Sequence, residues 1–340
     1  MRKLLLIIVM LAATSSVFGQ EPDYLKGLNH YQPQQIVSGT IRNWGNNYIP
    51  SLMQKWEDGF RKYQPNVHFE TNLRGTEASM AGLYGGIADL AFIGREAYRS
   101  EIDAFKERLG YEPLEIEISS GSFNTPHKTF ALMVYVHKGN PLEGLTMAQL
   151  GEIFGCSGAN GKEIKTWGDV GLKGEWAQRP VHVYGYNFGT GMAAYFNRVV
   201  LHGSGKWNAS MKDFDNGRDL NGEVINAGVY VLQTLEKDPN GIAFANVLYQ
   251  TDNVRAVPLA RKAGGPFVAP TKYSAWTREY PITRFTTVYV NRPPGVPLDP
   301  KLREFIRYIL SSEGIQAVVE DGAYLPLNPQ VLEEQLKKLD

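Results

Sequence analysis

The stretch from residue 67 to residue 96 constrains the fold most, because it contains a complete strand–helix–strand pattern. Residues 67–73 predict a strand, residues 79–85 a short helix, and residues 87–93 a second, nearly all-apolar strand. A strand with a continuous apolar run is typical of a parallel sheet that is covered on both faces. The sequence therefore predicts an α/β fold that contains a parallel β-sheet.

The turn between the first strand and the helix has the composition of an anion site. It reads Arg74-Gly75-Thr76-Glu77-Ala78-Ser79 and opens a helix N-terminus. The first N–H groups of a helix have no partner within the helix, and its dipole is positive there. Such a turn favours an anionic ligand. Glu77 opposes this unless its side chain points outward.

Two further junctions repeat the strand, polar turn and helix order. One is Gly45-Asn46-Asn47-Tyr48, and the other is Tyr186-Asn187-Phe188-Gly189-Thr190-Gly191-Met192. Three turns with Thr, Ser or Asn would offer an oxyanion several N–H and hydroxyl donors. The alternative is that these polar side chains serve only as helix N-caps, since any tight junction favours glycine.

Arg95 follows the second strand of the unit at its carboxyl end. Ligands of open α/β sheets bind at that end of the strands. A guanidinium there can offer two parallel donors to an oxyanion. A salt bridge to Glu96 or Glu101 is the competing interpretation.

The remaining chemistry-bearing residues do not favour an enzyme or a metalloprotein. The chain lacks the dinucleotide and phosphate-loop fingerprints at its turns, and no Gly-x-Ser-x-Gly elbow occurs. Its six histidines lack metal-ligand spacing, and Cys156 is the single cysteine. Lys and Arg total 35, as do Asp and Glu, so charge gives no case for nucleic acid as a partner. We expect no cofactor and no metal.

The N-terminus predicts export. Arg2 and Lys3 precede ten apolar residues, 4–13, and Val17-Phe18-Gly19 forms a small-x-small cleavage site. The apolar run is shorter than the roughly 20 residues that a membrane span needs. We therefore predict a signal peptide over residues 1–19, a polar tether over residues 20–34, and a periplasmic mature protein.

Other segments predict further elements of the same α/β kind. Thr146 and Gln149 form a capping-box pattern, and Asp299-Pro300 is a helix start. Residues 49–63 carry one apolar helix stripe that includes Trp56 and Phe60. Further predictions include strands at residues 35–44, 114–119, 129–137, 254–259 and 284–290, helices at 99–109 and 224–237, and a loop at 262–277.

Over nearly the whole mature chain, the sequence resembles the periplasmic phosphate-binding proteins of ABC-type phosphate importers, in the type II solute-binding superfamily. The resemblance is carried by residues 40–48, 75–79, 88–96, 136–154, 184–196 and 298–327. It implies two α/β lobes joined by two crossover strands, with phosphate clamped between them by hinge closure. The implied bounds are 35–127 with 275–340 for lobe I, and 128–274 for lobe II.

The resemblance also places the ligand residues. The family's three binding loops fall on Gly45, Asn46, Asn47 and Tyr48, on Gly75, Thr76 and Glu77, and on the turn from Tyr186 to Met192. The candidate ligand residues are these loop residues with Arg95, where the third loop contributes Tyr186, Asn187, Gly189, Thr190 and Gly191. Thr76 and Arg95 are the expected principal contacts of the first half-site.

The third loop departs from the family pattern. The family usually has Arg at the position of Tyr186, Ser at Phe188 and Thr at Met192. The resemblance implies a phosphate receptor that works as a monomer with an ABC permease. Another oxyanion, a less charged ligand or a sensory role stay open as alternatives. A secreted hydrolase of phosphate esters is a rival from a different class.

Overall fold

The computed structural model describes residues 22–126, 128, 131–156 and 164–340. The predicted signal peptide lies outside the described residues, as do His127 and the first two residues of the strand predicted at 129–137. Among the helices of the described part, none is long and apolar enough to cross a membrane.

The first of two five-stranded sheets contains the predicted parallel strands. Its strands are β1 (Gly39–Gly45), β2 (Val67–Asn72), β3 (Leu90–Ile93), β4 (Leu114–Ser120) and β14 (Phe285–Val290), in the order β2-β1-β3-β14-β4. β1 pairs in parallel with β2 and with β3, so that the carboxyl ends of all three lie at one edge. β14 pairs antiparallel with β3 and β4, which makes the sheet mixed.

Six helices flank this sheet in the described part of the chain: α1 (Pro50–Arg61), α2 (Thr76–Tyr84), α3 (Arg99–Leu109), α8 (Pro300–Ile309), α9 (Ser312–Asp321) and α10 (Pro329–Lys337). α1 buries the apolar stripe that its sequence predicts, including Trp56 and Phe60. The Trp56 indole N–H donates to the Gly314 carbonyl at 2.9 Å, and the Phe60 ring lies 5.1 Å from that of Phe305. These contacts fix α1, and with it the turn that precedes α1.

The second sheet has the order β12-β5-β11-β7-β8. Its strands are β5 (Leu132–His137), β7 (His182–Tyr186), β8 (Lys212–Phe214), β11 (Gly241–Asn246) and β12 (Val254–Ala256). β11 runs parallel to β7 and antiparallel to β5. The helices around it are α4 (Met147–Phe154), α5 (Gly191–Val200) and α6 (Ala227–Leu235). A short helix, α7 (Lys272–Thr277), packs instead beside Tyr24 and Leu325. Phe196 of α5 stacks on Phe244 of β11 with ring centroids 4.0 Å apart.

Smaller elements complete the described structure. Two-stranded ribbons pair β6 (Leu145–Thr146) with β13 (Leu259–Ala260), and β9 (Gly217–Arg218) with β10 (Val224–Ile225). Short 3₁₀ helices lie at Trp167–Val170, Gly174–Gln178 and Val247–Tyr249. The α/β fold of two mixed sheets flanked by helices is confirmed. The chain passes to the second sheet after β4 and returns before β14, and the bounds of the lobes stay a prediction.

Several element predictions were wrong for local reasons. Residues 224–237 are not one helix, because Asn226 is extended and its side chain caps α6 by accepting from the Gly228 N–H at 2.9 Å. Part of the predicted loop at 262–277 is α7, which Thr271 caps through the Ser274 N–H at 3.0 Å. The strand predicted at 87–93 begins at Leu90, since the residues before it fold back onto the end of α2.

The C-terminal part of the predicted tether packs on the first lobe's helices. Tyr31 is buried, and its backbone N–H donates to a Glu313 carboxylate oxygen at 2.7 Å. Its hydroxyl donates to Glu304 at 2.6 Å. Residues around Tyr31 therefore belong to the folded body. The capping box at Thr146 and the helix start at Asp299 are confirmed, with Asp299 accepting from the Lys301 N–H at 3.0 Å.

Candidate ligand-binding site

Three turns meet at the carboxyl ends of β1, β2 and β3. The Gly75 N–H donates to the Gly45 carbonyl at 3.0 Å, which joins the second turn to the first. The Gly94 N–H donates to the Thr76 hydroxyl oxygen at 3.3 Å, which joins the second turn to the segment after β3. The structure therefore brings together predicted residues from separate parts of the sequence. We call this set of turns, residues 45–48, 75–77 and 94–95, the first wall.

The glycines of the first wall are required by its packing. A Cβ on Gly45 would lie 2.4 Å from the Phe92 carbonyl oxygen, which no side chain tolerates. Gly75 has φ +147°, a conformation that L-residues with side chains rarely adopt. Thr76 directly after it begins α2 and is buried. The sequence signal for these positions was the glycine itself.

Asn46 holds a buried donor that has no protein acceptor. Its Oδ1 accepts from the Tyr48 N–H at 2.9 Å, while Nδ2 has no hydrogen-bond partner. A Cβ on Gly94 would lie 2.2 Å from that Nδ2, so the amide packs directly on the first wall's third turn. Burying an N–H without an acceptor is unfavourable. The Asn46 amide is thus available to an acceptor on a ligand.

The other candidates of the first two loops lie at the rim. Asn47 and Tyr48 are exposed. The Glu77 side chain is 81% exposed, and its carboxylate lies beside the first wall, 4.0 Å from the Arg95 Nε. The Lys128 ammonium group donates a hydrogen bond to the Tyr48 carbonyl oxygen. This bond connects Tyr48 to the segment that follows β4.

Arg95 is half-buried at the wall, with its side chain 11% exposed, but is already paired. Its guanidinium donates two bonds to the Glu101 carboxylate, at 2.7 and 2.8 Å, and lies 3.8 Å from the Tyr98 ring centroid. Burial acts to lower the pKa of Arg95, but the hydrogen bonds to Glu101 outweigh it and raise that pKa. The group is therefore fixed and charged. Its Nε has no hydrogen-bond acceptor and lies 4.0 Å from a Glu77 oxygen.

The third turn opens α5 with a side-chain cap. The Thr190 hydroxyl accepts from the Ala193 N–H at 3.2 Å and donates to the Asn187 carbonyl at 2.8 Å. The Asn187 side chain accepts from the Gly189 N–H at 3.0 Å and donates to Asp213 at 2.7 Å. These side chains are used within the lobe. What α5 can offer a ligand is its open N-terminus, at the backbone N–H groups of residues 191 and 192.

Tyr186 does not point to this turn. It ends β7, is fully buried, and its hydroxyl accepts from the Asn246 N–H at 3.2 Å. A Cβ on Gly228 would lie 2.3 Å from that hydroxyl. Burial raises the pKa of Tyr186, so the phenol is neutral. The side chain fills the core beneath the third turn and adds no charge to the site.

The third turn lies against the first wall. A Cβ on Gly191 would be 3.3 Å from the Cβ of Arg95 and 3.5 Å from its Cδ. The open end of α5 in the second lobe therefore touches the arginine of the first. The N-termini of α2 and α5, one from each lobe, belong to one junction between the two sheets.

A second buried ion pair lies at this junction, and the sequence analysis did not assign it a role. Arg284 donates to Glu96 at 3.0 Å, and both side chains are almost completely buried. Arg284 also donates through Nη1 to the Met192 sulfur at 3.0 Å. The signal that could have drawn attention to Arg284 is an arginine directly before the apolar strand β14.

Two cavities lie away from this junction. One of about 500 Å³ lies between residues 27–34 and the helices α8 and α10. Another of about 550 Å³ lies between α1 and α9, beside Tyr63 and Glu313. Within residues 22–126, 128, 131–156 and 164–340, no group of three or more His, Cys, Asp or Glu side chains could hold a metal ion.

Comparisons with known proteins agree with this architecture. The sequence profile of the PBP superfamily domain matches residues 32–313. The phosphate-binding protein PstS of Pseudomonas aeruginosa is 34% identical over 329 residues, which cover 96% of this chain and 94% of that protein. Protein SphX of Synechococcus elongatus is 23% identical over 274 residues, 79% of this chain and 73% of that protein.

The crystal structure of PstS from Borrelia burgdorferi shares the fold. It aligns with a TM-score of 0.53 at 16% identity, and covers 86% of this chain and 100% of that one. The resemblance drawn from the sequence is thereby confirmed. The chain belongs to the PBP superfamily and, within it, to the family of the phosphate-binding protein PstS.

Proposed function

We propose that the protein is an extracytoplasmic receptor that holds inorganic phosphate between its two lobes and delivers it to an ABC importer. The observation that carries the proposal is the contact of Gly191 with Arg95, which joins the open N-terminus of α5 to the first wall. Membership in the PstS family, whose Pseudomonas member is named for phosphate binding, supports the choice of ligand.

The site would bind by donors alone. The Asn46 amide and the Arg95 Nε have no hydrogen-bond acceptor, and the helix ends add N–H groups and a favourable dipole. Hydrogen bonds from such donors to a charged oxygen are roughly twice as strong as neutral ones. Two passages of the chain between the sheets would serve as the hinge, with the lobes bounded as the sequence predicts.

A site made only of hydrogen-bond donors supports a carrier and not an enzyme. A receptor needs donors arranged around the ligand, and the proposed site has these without a nucleophile paired to a base. The predicted signal peptide supports a periplasmic location. The ABC permease as partner and the monomeric state are proposed from the resemblance of the sequence to phosphate receptors. A phosphate-ester hydrolase would use the same anion site. Turnover of a chromogenic phosphate ester would support that rival, and we expect none.

Isothermal titration of the chain from Gln20 onward tests the ligand. We expect heat and a thermal shift with phosphate, and weaker responses with sulfate, molybdate and a sugar phosphate. If phosphate gives neither heat nor a shift, the proposed ligand is wrong. A tighter response to one of the other anions would replace phosphate by that anion.

Two helix caps of equal geometry provide a matched test of the third turn. Thr190 caps α5 and Thr146 caps α4, each through an N–H···O distance of 3.2 Å. We expect Thr190→Ala and Thr146→Ala each to lower the free energy of unfolding by about 1 kcal/mol. Only Thr190→Ala should weaken phosphate binding, by roughly tenfold, about 1.4 kcal/mol. Equal affinities in the two variants would remove the third turn from the site.

A further inference from the structure

We propose that Arg284, which directly precedes β14, is a ligand-binding residue beside the end of α5, and that Met192 occupies its free donor when no anion is bound. This inference rests on the proposed function. It identifies which side chain brings positive charge to the end of α5, where Tyr186 supplies none.

Arg284 is held but not saturated. Its side chain is 1% exposed and that of Glu96 is 3% exposed, and one guanidinium edge is used by Glu96. The remaining Nη1 donates to the Met192 sulfur. A thioether is a weak acceptor, so this buried, charged donor lacks a strong partner on one side.

Met192 links this donor to the candidate site. It is the second residue of α5, directly after Gly191, which lies against Arg95. Methionine is unbranched and flexible, so its sulfur can leave Nη1 without a change in the backbone. An anion at the end of α5 would present a far better acceptor than sulfur. We infer that the anion replaces the sulfur at Arg284.

The charged groups at the junction balance one another. Arg284 and Glu96 are buried and Arg95 and Glu101 are half-buried, so these two cations and two carboxylates sum to zero. Arg198 lies 3.9 Å from Glu96, but its side chain is exposed, as is that of Glu77, and water screens both. An anion at Arg284 is therefore favoured by its unsaturated donor and not by an excess of positive charge.

Substitution of Arg284 by lysine tests its role in binding. Arg284→Lys keeps a cation beside Glu96 but loses the second donor edge. We expect phosphate binding by titration calorimetry to weaken at least tenfold. Arg278→Lys is the matched control, because Arg278 lies in the same return segment and pairs with Glu117. It should change the affinity less than twofold, and thermal unfolding should show both variants folded.

A double-mutant cycle with Met192 separates ligand binding from a purely structural role. Met192→Leu conserves volume and removes the sulfur acceptor. It should tighten phosphate binding about threefold in the parent and leave it unchanged in the Arg284→Lys background, since the effect passes through Arg284. The same change in both backgrounds would overturn the inference.

The outcomes separate this inference from the proposed function. If the parent does not bind phosphate, the proposed function falls. If the parent binds and Arg284→Lys binds equally well, only the role of Arg284 falls. Should Arg284→Lys fail to fold, a crystal structure of the parent with phosphate decides. We expect a phosphate oxygen within about 3.2 Å of Arg284 Nη1, and a Met192 sulfur still seated there would overturn the inference.

Discussion

At the junction between the lobes, the buried side-chain amide of Asn46 supplies a hydrogen-bond donor that has no partner. Asn46 uses its carbonyl oxygen to hold the Tyr48 N–H and leaves its amide nitrogen without a partner. Asn140 does the same in the turn after β5, where its Oδ1 accepts from the Leu142 N–H at 3.0 Å and its Nδ2 also lacks a partner. The two residues share one local structure and differ in their surroundings. That difference makes them a matched pair.

Substitution of each asparagine by aspartate tests whether the Asn46 amide binds the anion. Aspartate keeps the oxygen that holds the turn but replaces the donor with a negative charge. We expect Asn46→Asp to weaken phosphate binding at least a hundredfold, because the carboxylate repels the anion. Asn140→Asp should leave the affinity unchanged. Calorimetry on both variants checks this, and similar affinities would exclude Asn46 from the site.

Some properties of individual residues could be predicted from the sequence, and their long-range partners could not. The glycines and polar residues of the turns could be predicted, because tight junctions and helix caps are local patterns. The partner of Arg95 could not be predicted, because the sequence is equally compatible with a salt bridge to Glu101 and with a hydrogen bond to a ligand. Arg284 and Glu96 are 188 residues apart in the chain, and no local pattern pairs them.

At the scale of elements, α5 is the part of the second lobe that approaches the first wall. The N-terminus of α5 can approach Arg95 closely because Gly191 has no side chain. The helix begins there with a side-chain cap, and its axis is fixed by the stacking of Phe196 on Phe244. α5 is therefore held on the second sheet, and its N-terminus sets how closely the second lobe approaches the first wall.

A side chain at Gly191 should crowd the contact between α5 and Arg95. Alanine at Gly191 would place its Cβ 3.3 Å from Arg95, whereas alanine at Gly151 of α4 would place its Cβ 3.3 Å from the Val200 carbonyl within one lobe. We expect Gly191→Ala to weaken phosphate binding about five- to tenfold, up to about 1.4 kcal/mol, with little loss of stability. Gly151→Ala should act only on thermal stability.

Calorimetry and thermal unfolding on both glycine variants separate these effects. Unchanged phosphate affinity in Gly191→Ala would mean that the approach of α5 to Arg95 does not limit binding. The helix itself could be predicted from its periodicity. Its contact with Arg95 could not, because periodicity shows which face of a helix is buried but not what covers its end.

For the whole molecule, stability should depend on three carboxyl groups that join distant segments. Asp89 accepts from Arg42, Asp238 from Tyr184 and His182, and Glu313 from Tyr31 and His30. Burial acts to raise the pKa of each carboxyl, but these hydrogen bonds outweigh it. Each folded pKa is therefore below its ordinary value of 3.8 for Asp or 4.5 for Glu.

The sign of the pH dependence follows from these shifts. A carboxyl with a lowered folded pKa stabilises the fold above its unfolded pKa, and that stability is lost as the pH falls through the folded value. We expect the free energy of unfolding to fall steadily below about pH 4. Urea unfolding across this range checks it. Asp89→Asn should make the decline shallower, and an unchanged slope would exclude Asp89 as a contributor.

The fold class could be predicted at this scale, and the strand order could not. The apolar patterns at residues 87–93 and 284–290 predicted strands there, but nothing local to either segment states that β14 lies between β3 and β4.

The position of β14 has a consequence for biosynthesis. β4 pairs within its sheet only with β14, and β14 is made after every strand of the second sheet. Because synthesis runs from the N-terminus and domains fold as units, the second lobe can close while the first still lacks a strand. The unfinished first lobe then leaves β4 without a partner until the last part of the chain emerges.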